Sequence, residues 1–197
     1  MPRIISGRAR GIVLDSPAGL VTRPTSDMAK EALFNILRER YSGGNILDLF
    51  AGTGSLGLEA VSRGAAYCVF VDNDAESILK IKKNIKKCSM VDETMVLKMD
   101  ACKAVDSKLV TDRKYSCIFM DPPYGKVRLG LIIEKIAVND IIEKEGVIVT
   151  EHGSQDIPPE TMSGFACVDR RTYGSVNFSI YRKDGGLEDD RYTQVKE

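Results

Sequence analysis

Leu47-Asp48-Leu49-Phe50-Ala51-Gly52-Thr53-Gly54-Ser55-Leu56-Gly57 runs from a short apolar strand through a glycine-rich turn into a helix. Glycines in such a turn permit backbone conformations and close ligand approach that a Cβ would block. The spacing Gly52-x-Gly54-x-x-Gly57 satisfies the dinucleotide fingerprint, and Asp72 follows at roughly the 20-residue interval at which an acid binds a ribose. Taken alone, that pattern admits a nicotinamide enzyme. Asp48 argues otherwise, because it puts a carboxylate at the strand end where a dinucleotide site keeps an apolar run. It can order the turn and meet an ammonium group, which S-adenosylmethionine carries on its amino-acid moiety and a nicotinamide cofactor lacks.

A second strand end states the chemistry. The apolar run Cys117-Ile118-Phe119-Met120 leads directly into Asp121-Pro122-Pro123-Tyr124. An exocyclic amine on a nucleobase is a poor nucleophile, since its lone pair is conjugated into the ring. Acceptors on its two N–H groups turn that pair toward an electrophilic methyl. The Asp121 carboxylate supplies one acceptor and the Pro122 carbonyl the other, on a backbone that two prolines hold extended and strip of competing donors. Tyr124 can stack on the base, with Pro123 on the substrate side. The plainer alternative is a proline-stiffened turn initiated by Asp.

Two more strands end on acids. Tyr67 to Val71 finishes at Asp72-Asn73, placing a carboxylate for the ribose hydroxyls and Asn73 near the adenine. Met95 to Lys98 finishes near Asp100-Ala101, where a carboxylate can accept from the adenine amine. Each acid alone is an ordinary helix cap or turn residue. Four of them at the carboxyl ends of successive strands mark the edge at which open α/β sheets bind ligands. The cofactor set is then Asp48, Phe50, Gly52, Gly54, Asp72, Asn73, Asp100 and Ala101.

The chain resembles the S-adenosylmethionine-dependent methyltransferases, and within them the RsmD-like enzymes that methylate guanine N2 in 16S ribosomal RNA. Besides the glycine turn and Asp121-Pro122-Pro123-Tyr124, which many methyltransferases share, three stretches carry the resemblance. They are Arg3-Ile4-Ile5-Ser6-Gly7-Arg8-Ala9-Arg10-Gly11, Thr22-Arg23-Pro24-Thr25-Ser26-Asp27 and Glu31-Ala32-Leu33-Phe34-Asn35-Ile36-Leu37. Asp72 stands where this family carries the longer Glu, and Lys30 where a second arginine is common on an RNA-facing helix. The resemblance implies a Rossmann-like, seven-stranded class I methyltransferase sheet, mostly parallel with a C-terminal antiparallel hairpin. It also implies S-adenosylmethionine as donor and S-adenosylhomocysteine as product. The partner it implies is 16S ribosomal RNA within the small subunit or an assembly intermediate, with Arg8, Arg10 and Arg23 on RNA phosphates.

Composition agrees with one enzyme domain. A chain of 197 residues that is 43% hydrophobic suffices for one buried core and is short for two. No apolar stretch reaches membrane-spanning length and the opening residues lack a signal segment, so a cytoplasmic protein without a membrane partner is expected. The five cysteines lack CxxC spacing and read as reduced thiols, and His152 is the single histidine, so no metal is expected. Net charge is zero, which excludes a broad field for nucleic acid, yet residues 1–26 hold four arginines against one acid. The lysines at 80, 82, 83, 86 and 87 read as the wet side of a helix whose buried stripe is Ile78, Ile81 and Ile85.

Three parts are predicted: a basic β-hairpin extension over 1–25, the methyltransferase domain over 26–183, and a frayed tail over 184–197. Helices are expected near 26–41, 55–63, 75–87, 101–108 and 129–142. Parallel strands are expected near 45–50, 67–72, 94–98, 115–120 and 146–150, with a closing hairpin of Phe165 to Arg171 and Val176 to Arg182. Glu151-His152 follows the fifth strand, with His152 read as a surface or turn residue. A monomer is expected. An adenine N6 methyltransferase, which the tetrad serves equally well, and a noncatalytic RNA-binding or assembly protein are the competing functions.

Overall fold

Branched and aromatic side chains fill the central strands because a parallel sheet is covered on both faces. The structure is a computed structural model, and it describes residues 2–16, 27–38, 41, 43–122, 129–174 and 176–184. Five parallel strands, β1 (Asn45–Leu49), β2 (Tyr67–Asp72), β3 (Thr94–Lys98), β4 (Tyr115–Met120) and β5 (Ile142–His152), stand in the order β3-β2-β1-β4-β5. The antiparallel strands β6 (Thr161–Met162), β7 (Phe165–Tyr173) and β8 (Val176–Lys183) extend the sheet as β5-β8-β7-β6. Among the described residues there are thus eight strands where seven are predicted. The addition, β6, has two residues, too few for alternation to register in sequence.

Helices α1 (Asp27–Leu37), α2 (Ser55–Ser62) and α3 (Ala75–Lys87) cover one face, where Leu33, Phe34, Leu58 and Ile81 meet Ile46, Phe70 and Phe119. Helices α4 (Ala101–Ala104), α5 (Lys108–Thr111) and α6 (Leu129–Val138) cover the other, where Ala104, Val110 and Ile133 meet Leu47, Val69 and Ile118. Leu47 and Ile46 turn to opposite faces because strand side chains alternate.

Several boundaries differ from the sequence reading. The helix expected near 26–41 is α1, which ends at Leu37, with Arg38 at φ 51°. The helix expected over 101–108 is two single turns, since Ser107 caps a fresh start by accepting from Leu109 N at 3.3 Å. The helix expected to reach 142 ends at Val138, where Asn139-Asp140 turns the chain and Asp140 takes φ 47°. Strand β5 accordingly starts at Ile142, and a register shift between Tyr115 and Cys117 absorbs the extra residues before Val147.

The N-terminal segment keeps the expected hairpin in its smallest form. One antiparallel bridge, Arg3 to Val13, closes a loop that lies along α2 between α1 and α3. The Glu59 carboxylate on α2 accepts from Ile5 N at 2.7 Å and Ser6 N at 3.0 Å, and Ser62 O accepts from Arg8 N at 3.0 Å. A Cβ at Gly7 would fall 1.8 Å from Ser62 O, so only glycine lets the loop approach this closely. On the α3 side, Asp15 is held by Lys83 and Lys87 at 2.5 Å each. Two members of the predicted lysine face therefore clasp this loop.

Candidate functional site

The carboxyl edge of the parallel strands is level by construction. Leu49 pairs with Val71 on one side and Met120 on the other, so the next residues, Phe50, Asp72 and Asp121, stand in one row. Neighbouring strands lie roughly 4.8 Å apart, which sets Asp72 and Asp121 about 10 Å from each other across β1. Asp100 lies two residues beyond Lys98, the partner of Asp72 on β3.

The turn after β1 is built for close approach. Phe50, Gly52 and Gly54 all have positive φ, at 63°, 56° and 76°. For Phe50 this conformation is strained, and such strain persists where surrounding bonds over-determine it. Those bonds are present: Ala51 N donates to Val71 O at 3.0 Å, and Gly52 N donates to Asp72 Oδ2 at 2.8 Å. Asp72 Oδ1 accepts from Asp74 N at 2.9 Å, so a single carboxylate fixes both the glycine turn and the start of α3. Asn84 of α3 adds a donation to Thr53 O at 2.9 Å.

Asp48 lies beneath this turn, 3% exposed, and accepts from Gly57 N at 3.0 Å. Burial pushes its carboxyl well above the usual range; the Gly57 bond opposes that, and the charges of Asp121 and Asp72 add to it. Gly57 itself is a packing residue: a Cβ there would meet Phe70 Cε1 at 2.4 Å and Cys68 Sγ at 2.6 Å. Helix α2 begins without a side-chain cap from Gly54, and with the Gly57 amide taken by Asp48 the N–H groups of Ser55 and Leu56 remain for an anion.

Asp121 keeps an exposed edge, yet the protein packed around it desolvates its carboxyl and raises it to about 6. Pro122, next to it, is buried. Asp100 caps α4 by accepting from Lys103 N at 3.1 Å, remains exposed, and precedes the buried Ala101. Asn73 is exposed beside Asp72. The structure thus gathers Asp48, Phe50, Gly52, Gly54, Asp72, Asn73, Asp100, Ala101, Asp121 and Pro122 at one edge. These residues fit S-adenosylmethionine: open space over Gly52, uncapped amides at α2 for a carboxylate, and acceptor oxygens at Asp72 and Asp100.

Other readings move elsewhere. Arg8 and Arg10 are not at this edge. Arg8 pairs with Glu93, which precedes β3 at the opposite end of the strands, and Arg10 is exposed on the same loop. Arg23, Pro123 and Tyr124, and the tail beyond 184, lie outside the described residues. His152 is no surface residue: it is 4% exposed, with Nε2 2.9 Å from Ser179 Oγ and Nδ1 3.0 Å from Gly153 O. Lys30, on the helix the resemblance turns toward RNA, is fully buried and donates to Arg3 O at 2.6 Å and Ser55 Oγ at 3.0 Å.

Lys30, Glu59 and Asn84 carry no motif. Their signal is a polar residue on an otherwise apolar helix stripe, as Asn84 stands among Ile78, Ile81 and Ile85. Among the described residues no group of His, Cys, Asp or Glu converges as a metal site, and no helix is long and apolar enough to cross a membrane.

Comparison with known proteins identifies the family and the fold. A family model described as "Conserved hypothetical protein 95" matches residues 2–182. The Bacillus subtilis protein named "Putative rRNA methyltransferase YlbH" is 38% identical over 183 residues, covering 93% of this chain and 100% of that one. "Ribosomal RNA small subunit methyltransferase D" of Escherichia coli K12 is 28% identical, over 95% of this chain and 93% of its own. A solved Escherichia coli structure titled "Putative methyltransferase yhhF" superposes with a TM-score of 0.80 at 30% identity, covering 92% of this chain and 97% of its own. Matched over residues 2–182, and superposable on a relative over nearly its whole length, this chain belongs to the family described as Conserved hypothetical protein 95, the RsmD-like methyltransferases.

Proposed function

We propose that this protein transfers a methyl group from S-adenosylmethionine to the exocyclic N2 of a guanine in 16S ribosomal RNA. The observation that carries the reading is the row Phe50, Asp72 and Asp121, with the strained glycine turn on β1 between an acid suited to a ribose and an acid suited to an amine. The curated relatives named as ribosomal RNA methyltransferases support the substrate class.

S-adenosylmethionine supplies a methyl group on a sulfonium, electrophilic enough for direct displacement. Holding it falls to the glycine turn, the uncapped start of α2, and the carboxylates of Asp72 and Asp100, with Asp48 bracing the turn from below. Asp121 and the Pro122 carbonyl accept from the two N–H groups of a guanine that is unpaired or flipped from its helix, which aims the nitrogen lone pair. A carboxyl that titrates near 6 is ionised at neutral pH and can take the proton the amine sheds. Positioning supplies most of the acceleration. Pro123 and Tyr124 complete the base platform, and Arg10 and Arg23 contact RNA phosphates, joined by Arg8 through the half-exposed guanidinium that also pairs with Glu93.

The same reading makes residues 26–183 the catalytic domain and residues 1–25 its RNA-contacting extension. The substrate is ribosomal RNA within the small subunit or an assembly intermediate, and the protein acts as a cytoplasmic monomer. The test is transfer of labelled methyl to unmodified small subunits, free ribosomal RNA and duplex DNA, followed by nucleoside mass spectrometry. N2-methylguanosine from the subunits is expected. N6-methyladenine, or labelled DNA, would overturn the base assignment.

A further inference from the structure

A groove among the described residues lies away from the glycine turn, on the flank where the N-terminal loop faces α1. It encloses about 420 Å³ and is lined by Arg3, Ser6, Arg10, Glu31, Asn35 and Arg63, with backbone between them. Its chemistry is that of a surface for oxyanions. Arg10 is exposed, and no acidic partner holds it among the described residues. Arg63, at the end of α2, is tethered through Nε to Glu59 Oε1 at 2.6 Å and lies 4.8 Å from the centre of the Phe34 ring, which fixes the plane of its guanidinium. Arg3 is likewise bound through Nε, to Asp27 Oδ2 at 2.7 Å. A guanidinium anchored at Nε still has its two terminal amino groups to offer, and that fork matches a phosphate. Because Arg63 is already held by packing and Arg3 by its ion pair with Asp27, side-chain entropy lost on binding is reduced.

We infer that this groove is a second RNA contact, an exosite that takes a backbone phosphate of the substrate on Arg10, Arg63 and Arg3 with the Asn35 amide beside them. Position argues for a distinct contact. The groove reaches Arg63 at the far end of α2, and a helix of this length spans roughly 12 Å from the glycine turn. A nucleotide in the transfer site cannot also fill it. The chain has no net charge, with 28 basic and 28 acidic residues, so a large RNA has to be held by local contacts of this kind. Glu31, the one acid in the lining, faces the same space and sets the sign of a second test. The inference rests on the RNA-methylation reading.

The experiment compares Arg10→Ala and Glu31→Gln with wild type in methyl transfer to small ribosomal subunits, as a function of RNA substrate and salt. Both positions are exposed, so folding should be retained, and thermal unfolding checks it. Arg10→Ala should raise KM for the substrate roughly fivefold and lower the slope of log affinity against log salt by about one. Glu31→Gln should lower KM about twofold. The dissociation constant for S-adenosylhomocysteine should stay at the wild-type value in both. KM and salt slope unchanged in both variants, or a loss confined to kcat, would overturn the exosite while leaving RNA methylation standing. Wild-type protein that transfers nothing to RNA would instead remove the reading on which it rests.

Discussion

Replacing Glu59 by Ala perturbs the point at which three layers meet. Its carboxylate has no exposed surface and serves four donors: Ile5 N at 2.7 Å, Ser6 N at 3.0 Å, Arg63 Nε at 2.6 Å and Lys30 Nζ at 3.4 Å. Removing one partner of a buried ion pair costs about 3–5 kcal/mol, because the other charge is left uncompensated. At roughly 3 °C per kcal/mol for a domain of this size, Tm should fall by about 9–15 °C. Lys30 then has burial pressing its ammonium below the usual value without the Glu59 charge that opposes this. The unfolded chain keeps that lysine protonated to about pH 10, so between its lowered folded value and pH 10 the unfolded state binds more protons and stability rises with pH. The deficit of the variant should therefore shrink as pH is raised. The assay is urea unfolding at a series of pH values, with limited proteolysis reporting release of residues 5–12. A loss below about 1 kcal/mol at pH 7 with unchanged m value, or a deficit that grows toward pH 10, would refute the argument.

Asp121→Asn should abolish most methyl transfer, by at least a hundredfold in kcat, with S-adenosylhomocysteine binding by calorimetry within about threefold of wild type. In the wild type, kcat should fall as pH drops below about 6, where the raised Asp121 carboxyl protonates; a profile flat to pH 5 would show that its ionised form is not used. The same raised carboxyl is charged at some expense in the folded state, so Asp121→Asn should stabilise the protein at pH 8 and not below pH 4. The gain should stay under about 1 kcal/mol because its exposed edge is screened by solvent. Gly57→Ala must push Phe70 and Cys68 aside and should destabilise by about 1–3 kcal/mol in urea titrations, in spite of the better helix propensity of alanine. Thermal shift should respond to S-adenosylhomocysteine and not to NAD; stabilisation by NAD would reopen the nicotinamide reading of the glycine turn.

The alternation of strands and helices, and the acids at the strand ends, were legible from sequence because they rest on local rules. Apolar runs of five or six residues, rich in branched side chains and bounded by turn residues, read as buried strands, and an acid or glycine at the end of each marks where the chain turns back. Elements whose limits depend on partners were less legible. The break at Ser107, the early start of β5 and the two-residue β6 answer to caps and register across the sheet, which no local window contains. The site divides in the same way. Asp48 and Gly57 are both visible in the motif, but only packing shows that one braces the other and that Gly57 yields space to Phe70.

By itself, then, the sequence determined an α/β sheet with four acids on its carboxyl edge and a family resemblance that names the chemistry, since strand period, turn residues and motif spacing are properties of short segments. Tertiary structure decided what the N-terminal arginines and the helix polar residues do. Arg8 goes to Glu93, Lys30 turns inward to Glu59, and Arg3, Arg10 and Arg63 come together around one groove, from positions up to 60 residues apart. A charged side chain is read from sequence only as charged. Whether it faces water, a buried carboxylate or a phosphate depends on which distant segments the fold brings beside it.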